Sequence, residues 1–397
     1  MAAAAARTVH PDRILTRPFV LTVLAELALC MSIGMLLAVV PVFADDELGV
    51  GSFGVALAVA AASPMVLVCQ PLAGRIGDRR GRRKLVIVGG VVAAIAVAGY
   101  VVADSLVILV LLRLVTGAGE AMLLVGTATM VTDLAPEHRR GEALSLFSLG
   151  LWGGLALGPL LGELVLGDDR FDAVWLVAAA CCLAAGATGL VLPETGPAKD
   201  PAAPRANARL IHPAAIGPGL VLAFTVLGFA GLGTFGALYA RELGLDGAGS
   251  VFLVFSVVVV GTRVLARQVP DRLGPKRTSR TALALIAAGL LTIGLWSVPA
   301  GLFAGTVLVG VGHALAFPSL MTLAVNAGPP SERSSVIGTF SAFTELGFLI
   351  GALTLGAVAS AVGYAGVFVV CALGPLAGVL VLARIVPRAP LPAPGAA

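Results

Sequence analysis

Charged side chains are scarce in this chain. Only 12% of its 397 residues are Asp, Glu, Lys or Arg, whereas 58% are apolar and the mean hydropathy is +1.01. That charged share is roughly half that of a soluble domain, which could not cover its surface with so few polar groups. The same composition excludes a disordered, collagen-like or coiled-coil chain. The sequence therefore predicts a polytopic membrane protein, and because the net charge is only +4 and the cations lie in short loops, no nucleic-acid partner is expected.

Sequence patterns for metal, disulfide and nucleotide chemistry are also missing. The five cysteines lie inside apolar runs, without metal-ligand spacing or a disulfide framework, as is typical of small buried residues. No Gly-x-x-x-x-Gly-Lys-Ser/Thr loop is present, so ATP is not expected to bind. There is no catalytic Ser/His/Asp cluster either. We therefore expect neither an enzyme nor a bound metal or cofactor.

Long apolar runs fill most of the chain instead. A helix of about 20 apolar residues crosses a bilayer, and twelve runs approach or exceed that length. The candidate spans are 19–43, 53–73, 85–103, 106–132, 142–166, 173–192, 213–240, 250–266, 280–299, 301–325, 334–360 and 366–386. The stretch Met1–Arg17 lacks the apolar core and cleavage site of a signal peptide, so the first span is expected to remain as a helix. The pattern predicts an all-α membrane protein with twelve transmembrane helices.

The longest polar stretch separates two groups of six spans. Residues 193–212 are rich in Pro and Ala, which is typical of a flexible linker. We therefore expect an N-terminal six-helix half at 1–192 and a C-terminal six-helix half at 213–397. No other loop has room for a soluble domain.

Positive charges predict the orientation of the spans. Of the 26 Lys and Arg residues, 22 lie in the tails and loops of one side, and the opposite side carries only Arg170 and Arg241. The remaining two, Arg113 and Arg263, lie within spans. Because cytoplasmic loops collect Lys and Arg, both termini and the linker are expected to be cytoplasmic.

An internal repeat relates the two halves. With one offset of 193 residues, Asp78, Arg79 and Gly81 fall on Asp271, Arg272 and Gly274. The gapless register holds from the second to the fifth span of each half. Two six-span copies in the same orientation indicate a parallel repeat, related by an axis along the membrane normal.

The segment Gly74–Lys84 (GRIGDRRGRRK) is expected to be the loop after span 2. Its six cations fit a positive-inside anchor, but this alternative does not explain Asp78 or the glycines among them. Gly74 and Gly77 near a helix end permit the close approach of another helix. The carboxylate of Asp78 can then reach a helix N-terminus, whose dipole favours an anion.

This segment resembles the signature loop of the major facilitator superfamily, Gly-x-Leu-(Ala/Gly)-Asp-Arg-x-Gly-Arg-(Arg/Lys), and departs from it only at Ile76. The length, spans, repeat and linker agree with that family, and the second copy of the motif is degenerate. The resemblance implies the major facilitator fold, with Asp78 at the N-terminus of span 11 near Ser334. The expected gating residues are Gly74, Asp78, Arg79, Gly81, Arg82, Asp271 and Arg272.

Span 4 carries Arg113 and Glu120. They are seven residues apart, which is two helical turns, so they share a face. Charged side chains at membrane depth are costly and indicate function by default; a structural ion pair is the alternative. The segment is similar to the Arg-x-x-x-Gly-x-Gly pattern of the family's proton-coupled members.

Other polar residues within spans include Glu26, Gln70, His313 and Glu345, and His313 is the repeat mate of Glu120. Spans 1, 4, 7 and 10 line the central cavity in the superfamily. We therefore expect Glu26, Glu120 and His313 to lie near mid-depth and to converge on one cavity, with Glu26 or Glu120 carrying a coupled proton. The alternative for His313 is a satisfied core residue.

Span 5 carries a stripe of small residues at four-residue steps, which predicts a flat packing face. Its members are Gly150, Gly154, Gly158, Pro159 and Gly162. Pro159 frees the carbonyl of Leu155 and should bend the helix. The series resembles the Gly-x-x-x-Gly-Pro-x-x-Gly-Gly signature of the superfamily's exporters, with Glu163 in place of the final glycine.

Together these features predict a proton-driven efflux antiporter for drugs or small amphipathic metabolites, monomeric, in a bacterial cytoplasmic membrane. A carrier that exports or imports a sugar or other polar metabolite is the alternative. An ion channel would need a repeated filter loop, and a membrane-embedded enzyme would need a catalytic cluster; neither is visible in the sequence. The expected partners are a small-molecule substrate, protons and the lipid bilayer.

Overall fold

The computed structural model describes residues 14–136, 140–167, 170–195, 211–266, 273–328 and 333–385. Throughout these ranges the secondary structure is helical, with no strand. The helices are α1 Arg17–Asp46, α2 Gly51–Ala60, α3 Ser63–Arg80, α4 Arg82–Ala98, α5 Leu106–Leu134, α6 Arg140–Leu166, α7 Phe171–Thr188, α8 Pro213–Glu242, α9 Gly249–Leu265, α10 Pro275–Leu295, α11 Pro299–Ala327, α12 Arg333–Cys371 and α13 Leu373–Ile385. A short 3₁₀ turn, Gly99–Val102, extends α4.

Twelve spans can be counted along the described residues. Ten helical segments are long and apolar enough to cross a membrane, and Gly249–Leu265 is a shorter apolar helix of 17 residues. The last segment, Val336–Arg384, has 49 residues and contains two spans, because Gly363 breaks the helix with a φ of 71°. This confirms the all-α membrane class.

Span 2 differs from its predicted form. It breaks after Ala60 into α2 and α3, and the second piece continues to Arg80. The segment predicted as a loop after this span is therefore helical except at Gly81, whose φ of 97° separates α3 from α4. Arginines near a helix C-terminus are compatible with helix because the dipole favours cations there.

The repeat is visible in the helix bounds. The offset of 193 residues carries Leu106–Leu134 onto Pro299–Ala327, end to end. It also carries the start of α4 onto the start of α10, and each start follows a glycine with positive φ, Gly81 at 97° and Gly274 at 78°. The two copies therefore turn the chain with the same backbone device.

The described residues divide into two compact units. The first comprises those within Met1–Val50, Leu57–Pro204 and Gly247–Ser256. The backbones of α4 and α5 are closely packed in this unit: a Cβ added to Gly119 of α5 would lie 2.5 Å from Ala93 N of α4. Near the ends of α4 and α7, the ring of Trp175 packs against Phe43 and Tyr100 at centroid distances of 5.4 Å.

The second unit comprises the described residues within Gly51–Ala56, Arg205–Asp246 and Val257–Ala397. Here α10 and α11 approach as closely as their repeat mates, since a Cβ on Gly289 would lie 2.6 Å from Gly305 O. Buried Tyr239 donates a hydrogen bond to Ile293 O at 3.1 Å and packs on Phe368, so its polar tip is satisfied inside the core.

Candidate functional site

Glu26 of α1 is a fully buried carboxyl group in the first unit. Its Oε2 lies 2.8 Å from Thr127 Oγ1 of α5, and its Oε1 accepts a hydrogen bond from Cys30 Sγ at 3.6 Å. The same Thr127 hydroxyl lies 3.0 Å from Leu123 O. Glu26 is the tenth of the 30 residues of α1, in its N-terminal half, whereas Glu120 and His313 are the central residues of α5 and α11.

The Thr127 hydroxyl can satisfy Glu26 in either protonation state. A hydroxyl has one proton to donate and two lone pairs to accept. With Glu26 ionised, Thr127 donates to Oε2; with Glu26 protonated, the carboxylic acid donates to Thr127 Oγ1 and the hydroxyl donates to Leu123 O. Both side chains are therefore hydrogen-bonded in either protonation state of Glu26.

Arg113 joins α5 to the break in span 2. Its side chain is 8% exposed; Nε donates to Ala58 O at 3.2 Å and Nη2 to Val59 O at 2.9 Å. Both carbonyls belong to the last turn of α2, where oxygens lack an intrahelical donor and the dipole favours a cation. Within the described part of the chain, Arg113 forms no ion pair with Glu120; besides the two carbonyls, its guanidinium hydrogen-bonds the hydroxyl of Tyr100, in the turn that follows α4.

In the second unit, His313 of α11 lies among aromatic rings. Its ring centroid is 5.6 Å from that of Phe229 in α8, which is 6.3 Å from that of Phe348 in α12. Glu345 precedes Phe348 by one helical turn on α12 and is partly buried. The structure thus brings Glu26, Arg113 and Glu120 into the first unit and His313 and Glu345 into the second. Their convergence on one cavity stays a prediction.

The signature segment is tied to the end of the first six helices. The backbone N–H of Arg82 donates to Glu194 Oε1 at 2.7 Å, and the guanidinium of Arg82 forms an ion pair with Asp133 at the end of α5. The Arg83 guanidinium binds the carbonyls of Gly189 and Leu190 at 2.7 and 2.8 Å. These contacts hold the start of α4 against the residues that follow α7.

The close helix approach expected at the two glycines of this segment is found at Gly77 but, within the described residues, not at Gly74. Gly77 packs tightly, since a Cβ there would lie 2.8 Å from Leu85 Cδ1, but the close approach expected at Gly74 is wrong for the described residues, where nothing lies within 4 Å of an added Cβ. Four other gating residues, and the expected contact at Ser334, stay predictions. The side chains of Asp78 and Arg79 on α3, that of Ser334, and all of Asp271 and Arg272 lie outside the described residues.

The glycine stripe of α6 packs against α1. A Cβ on Gly154 would lie 2.6 Å from Leu27 O, and one on Gly158 would lie 2.4 Å from Met31 O; Gly150 and Gly162 meet the same helix one turn to either side. Pro159 lies against Gly34, whose added Cβ would be 2.8 Å from the proline Cδ. Only small residues allow this separation of the two backbones.

Glu163 ends the stripe, at the position where the exporter signature has glycine. Its Oε1 accepts a hydrogen bond from Gly249 N at 2.7 Å, at the start of α9. A Cβ on Gly247 would lie 2.2 Å from Glu163 Oε1, and one on Gly249 would lie 2.3 Å from Oε2. The carboxyl group therefore occupies the space that two glycines leave at a helix N-terminus, where free N–H groups favour an anion.

Sequence reasoning missed the partners in these sites, among them the side chains of Cys30, Thr127, Asp133 and Glu194. Cys30 carried a signal, since it follows Glu26 by four residues and so shares its helix face. The other three are distant in sequence from the groups they bind, and no local pattern points to them.

Twelve apolar spans within the described residues, with ionisable side chains inside several of them, are typical of a membrane carrier rather than a soluble protein. Comparison with known proteins agrees. The family model "Major Facilitator Superfamily" matches residues 22–299 and 248–397. An uncharacterized MFS-type transporter of Burkholderia pseudomallei (strain 1106a) is 30% identical over 361 residues, covering 88% of this chain and 87% of the relative. The uncharacterized MFS-type transporter YhhS of Escherichia coli (strain K12) is 27% identical and covers 94% of each chain.

Solved structures share the fold at low identity. The human organic anion transporter MFSD10 has a TM-score of 0.68 at 20% identity, covering 92% of this chain and 98% of that one. A POT family transporter in complex with a thioalcohol conjugated peptide has a TM-score of 0.77 at 13% identity, covering 92% and 94%. The chain belongs to the major facilitator superfamily, and it is a multi-pass membrane transporter of small molecules.

Proposed function

We propose that this chain is a proton-coupled efflux antiporter that exports drugs or small amphipathic metabolites by alternating access. It would do so as a monomer in a bacterial cytoplasmic membrane, with both termini cytoplasmic and the proton gradient as its energy source. No cofactor is required in this mechanism.

One observation carries the proton coupling: the hydroxyl of Thr127 lies between Glu26 Oε2 and Leu123 O, at 2.8 and 3.0 Å. A carrier that exchanges a proton for substrate needs a group that is stable with and without its proton. The pair Glu26 and Thr127 meets that need because its hydrogen bonds invert rather than break. Glu120, central on the same helix as Thr127, is the second carboxyl group available for this exchange.

Export is favoured over import by the α6 stripe and its resemblance to the exporter signature. The close packing of α6 on α1 also supports a mechanical role, since α1 carries Glu26 and α6 carries Glu163, whose carboxyl group binds the start of α9. A change in the protonation of Glu26 on α1 can therefore act through α6, which packs on α1, and reach the start of α9, which is bound by Glu163 near the C-terminal end of α6. A polar-metabolite carrier with the same proton site is the alternative.

The test uses everted membrane vesicles from a drug-sensitive bacterial host that expresses the chain. Ethidium is the first probe, and a pH-sensitive dye reports the gradient. We expect ethidium to enter the vesicles against its concentration gradient while consuming the pH gradient. The variant E26Q should lose this uphill transport but keep ethidium exchange across vesicles without a gradient.

E47Q is the matched control, since Glu47 is an exposed carboxyl residue just past the end of α1. If E26Q, E120Q and the double variant all retain full uphill transport, the proton assignment is wrong. If a sugar or other polar probe consumes the gradient and ethidium and other amphipathic probes do not, the alternative substrate class replaces drug efflux.

A further inference from the structure

A groove with a volume of about 950 Å³ lies at one end of the first unit. It is formed by the end of α1, the 3₁₀ turn after α4 and the start of α7. This end of the helices is opposite to the signature segment, and the distribution of positive charges predicts that it is external. Ligand sites in proteins have volumes of about 300–1,000 Å³, so the groove is large enough to hold a ligand. We name it the outer groove.

Buried aromatic rings line the outer groove. They belong to Phe43, Tyr100 and Phe171, which are at most 8% exposed. The indole of Trp175 packs against all three rings, at centroid distances of 5.4, 5.4 and 6.3 Å, and is itself 0% exposed. Its N–H has no hydrogen-bond partner among the described residues. Buried polar groups in native structures are nearly always paired, so this donor is free for an acceptor that the described chain does not supply.

Charged side chains of both signs surround these rings. Arg170, Asp104 and Asp172 line the groove and are exposed, and none of them forms an ion pair with a described residue. A guanidinium and two carboxylates in one groove suit a ligand that carries an anionic and a cationic group close together. Each charge of such a ligand then meets an opposite charge of the protein.

The outer groove is also continuous with apolar surface. Val101 and Val102 line it and are 41% and 70% exposed, and Leu176, one turn after Asp172 on α7, is 56% exposed. These residues lie at the ends of two spans, where exposed apolar side chains meet the acyl chains of the bilayer and aromatic rings lie at the headgroup level. A soluble zwitterion would gain little from this surface, whereas a phospholipid would bury it.

We propose that the outer groove binds the headgroup of an amino-phospholipid of the external leaflet, in which a phosphate is joined to a primary ammonium group. The phosphate accepts hydrogen bonds from the guanidinium of Arg170 and, between the rings, from the indole N–H of Trp175. The ammonium group binds the carboxylates of Asp104 and Asp172. The acyl chains follow the exposed apolar side chains beside the groove. This inference goes beyond the transport activity, because it assigns a lipid ligand and not a substrate.

The test uses the purified, delipidated protein in detergent. Its unfolding temperature and, by native mass spectrometry, its bound lipids are measured. The probes are short-chain phosphatidylethanolamine, short-chain phosphatidylglycerol, which lacks the ammonium group, and glycerophosphoethanolamine, which lacks the acyl chains. A ligand of the folded state raises its stability. We therefore expect phosphatidylethanolamine to bind most tightly and to raise the unfolding temperature most.

The exposed charges of the groove are tested first. D104N and D172N should each weaken phosphatidylethanolamine binding by up to about fivefold, as expected for exposed ion pairs, and leave phosphatidylglycerol binding unchanged. R170Q should weaken the binding of both lipids, because both carry the phosphate. The matched control is E242Q, which should change neither, since Glu242 is an exposed carboxyl residue at the end of α8 in the second unit. All four variants change exposed side chains and are expected to fold normally.

The unpaired indole N–H is tested by W175F, which keeps a ring and removes the donor. Without lipid, W175F should be at least as stable as the wild type, because a buried donor without a partner is costly. With either lipid it should bind at least about tenfold more weakly, since a hydrogen bond to a charged phosphate is lost. A purely structural role for Trp175 would give the opposite stability result. W152F is the control, because Trp152 is buried on α6 and packs against Phe255, outside the groove.

Three results would overturn the proposal. The first is equal binding of phosphatidylethanolamine and phosphatidylglycerol by the wild type. The second is unchanged lipid binding in R170Q and W175F. The third is binding of glycerophosphoethanolamine as tight as that of phosphatidylethanolamine, which would assign the groove to a soluble zwitterion instead of a lipid. None of these results depends on the proton assignment, because no pH gradient is used.

Discussion

The guanidinium of Arg113 holds the carbonyl oxygen of Val59 at 2.9 Å, in the last turn of α2 before the break that separates it from α3. A second bond at 3.2 Å reaches Ala58 O. In an unbroken helix these two oxygens would accept from the N–H groups of Ala62 and Ser63, four residues further on. Arg113 therefore does for span 2 what a backbone donor would do in an unbroken helix, and it holds α5 at the same point.

Arg113 variants should separate charge from geometry. R113K keeps the charge but loses the planar fork that reaches two carbonyls, so we expect a partial loss of transport with normal insertion. R113A leaves two buried carbonyls unsatisfied, at about 1–3 kcal/mol each, and should lower both transport and thermal stability. Gradient-driven ethidium flux and unfolding in detergent measure the two effects. R113A with wild-type stability would contradict the role given to these bonds.

The hydroxyl of Thr127 should be required for proton exchange at Glu26. T127V keeps the size and shape of the side chain but cannot donate to or accept from the carboxyl group. A lost hydrogen bond to a charged group costs about 1.5–3 kcal/mol, so we expect uphill ethidium transport to fall at least tenfold. T127S should retain most of the activity. Equal transport by T127V and wild type would show that Glu26 exchanges its proton without this hydroxyl.

The bond from Glu163 to Gly249 can be tested through the glycines. G249A would place a Cβ 2.3 Å from Glu163 Oε2 and must displace the carboxyl group. We expect a loss of about 1.5–3 kcal/mol in stability, the value of a hydrogen bond to a charged group, measured by unfolding in detergent. G261A on the same helix is the control, since nothing lies within 4 Å of its added Cβ. If G249A and G261A unfold alike, the hydrogen bond from Gly249 N to Glu163 does not contribute to stability.

Gly81 and Gly274 form a matched pair for the turn before α4 and α10. Both have positive φ, at 97° and 78°, but a Cβ on Gly81 would also lie 2.2 Å from Glu194 Oε2, whereas one on Gly274 meets nothing within 4 Å. G81A should therefore be more destabilising than G274A, which carries only the backbone strain of about 1–3 kcal/mol for a non-glycine residue at positive φ and ψ near 150°.

A double-mutant cycle completes this test. In an E194A background the steric conflict is absent, so the additional cost of G81A should fall to that of G274A. An unchanged cost would mean that backbone strain alone explains the glycine, and that Glu194 has no part in closing the turn.

Much of the fold followed from the sequence because its signals are local. The length of an apolar run determines whether a helix can span a bilayer, and the repeat offset matched the ends of α5 and α11 without adjustment. Boundaries were less accurate where charge and apolarity disagree, as at Gly74–Arg80, which is helical although polar. The break in span 2 was also missed, because a proline at position 64 is equally compatible with a gentle bend.

The candidate residues Glu26, Arg113 and Glu120 could be selected from sequence alone, because an ionisable group in an apolar run is costly and therefore conspicuous. Their partners could not. Thr127 is 101 residues from Glu26, Glu194 is 112 from Arg82, and Gly249 is 86 from Glu163. Which groups meet depends on the rotation and separation of whole helices, and these result from many small packing contacts, such as those of the α6 glycines on α1. Sequence by itself determined that the chain crosses a membrane twelve times in two related halves. Only the tertiary structure decided that Arg113 binds carbonyls and that a hydroxyl lies beside Glu26.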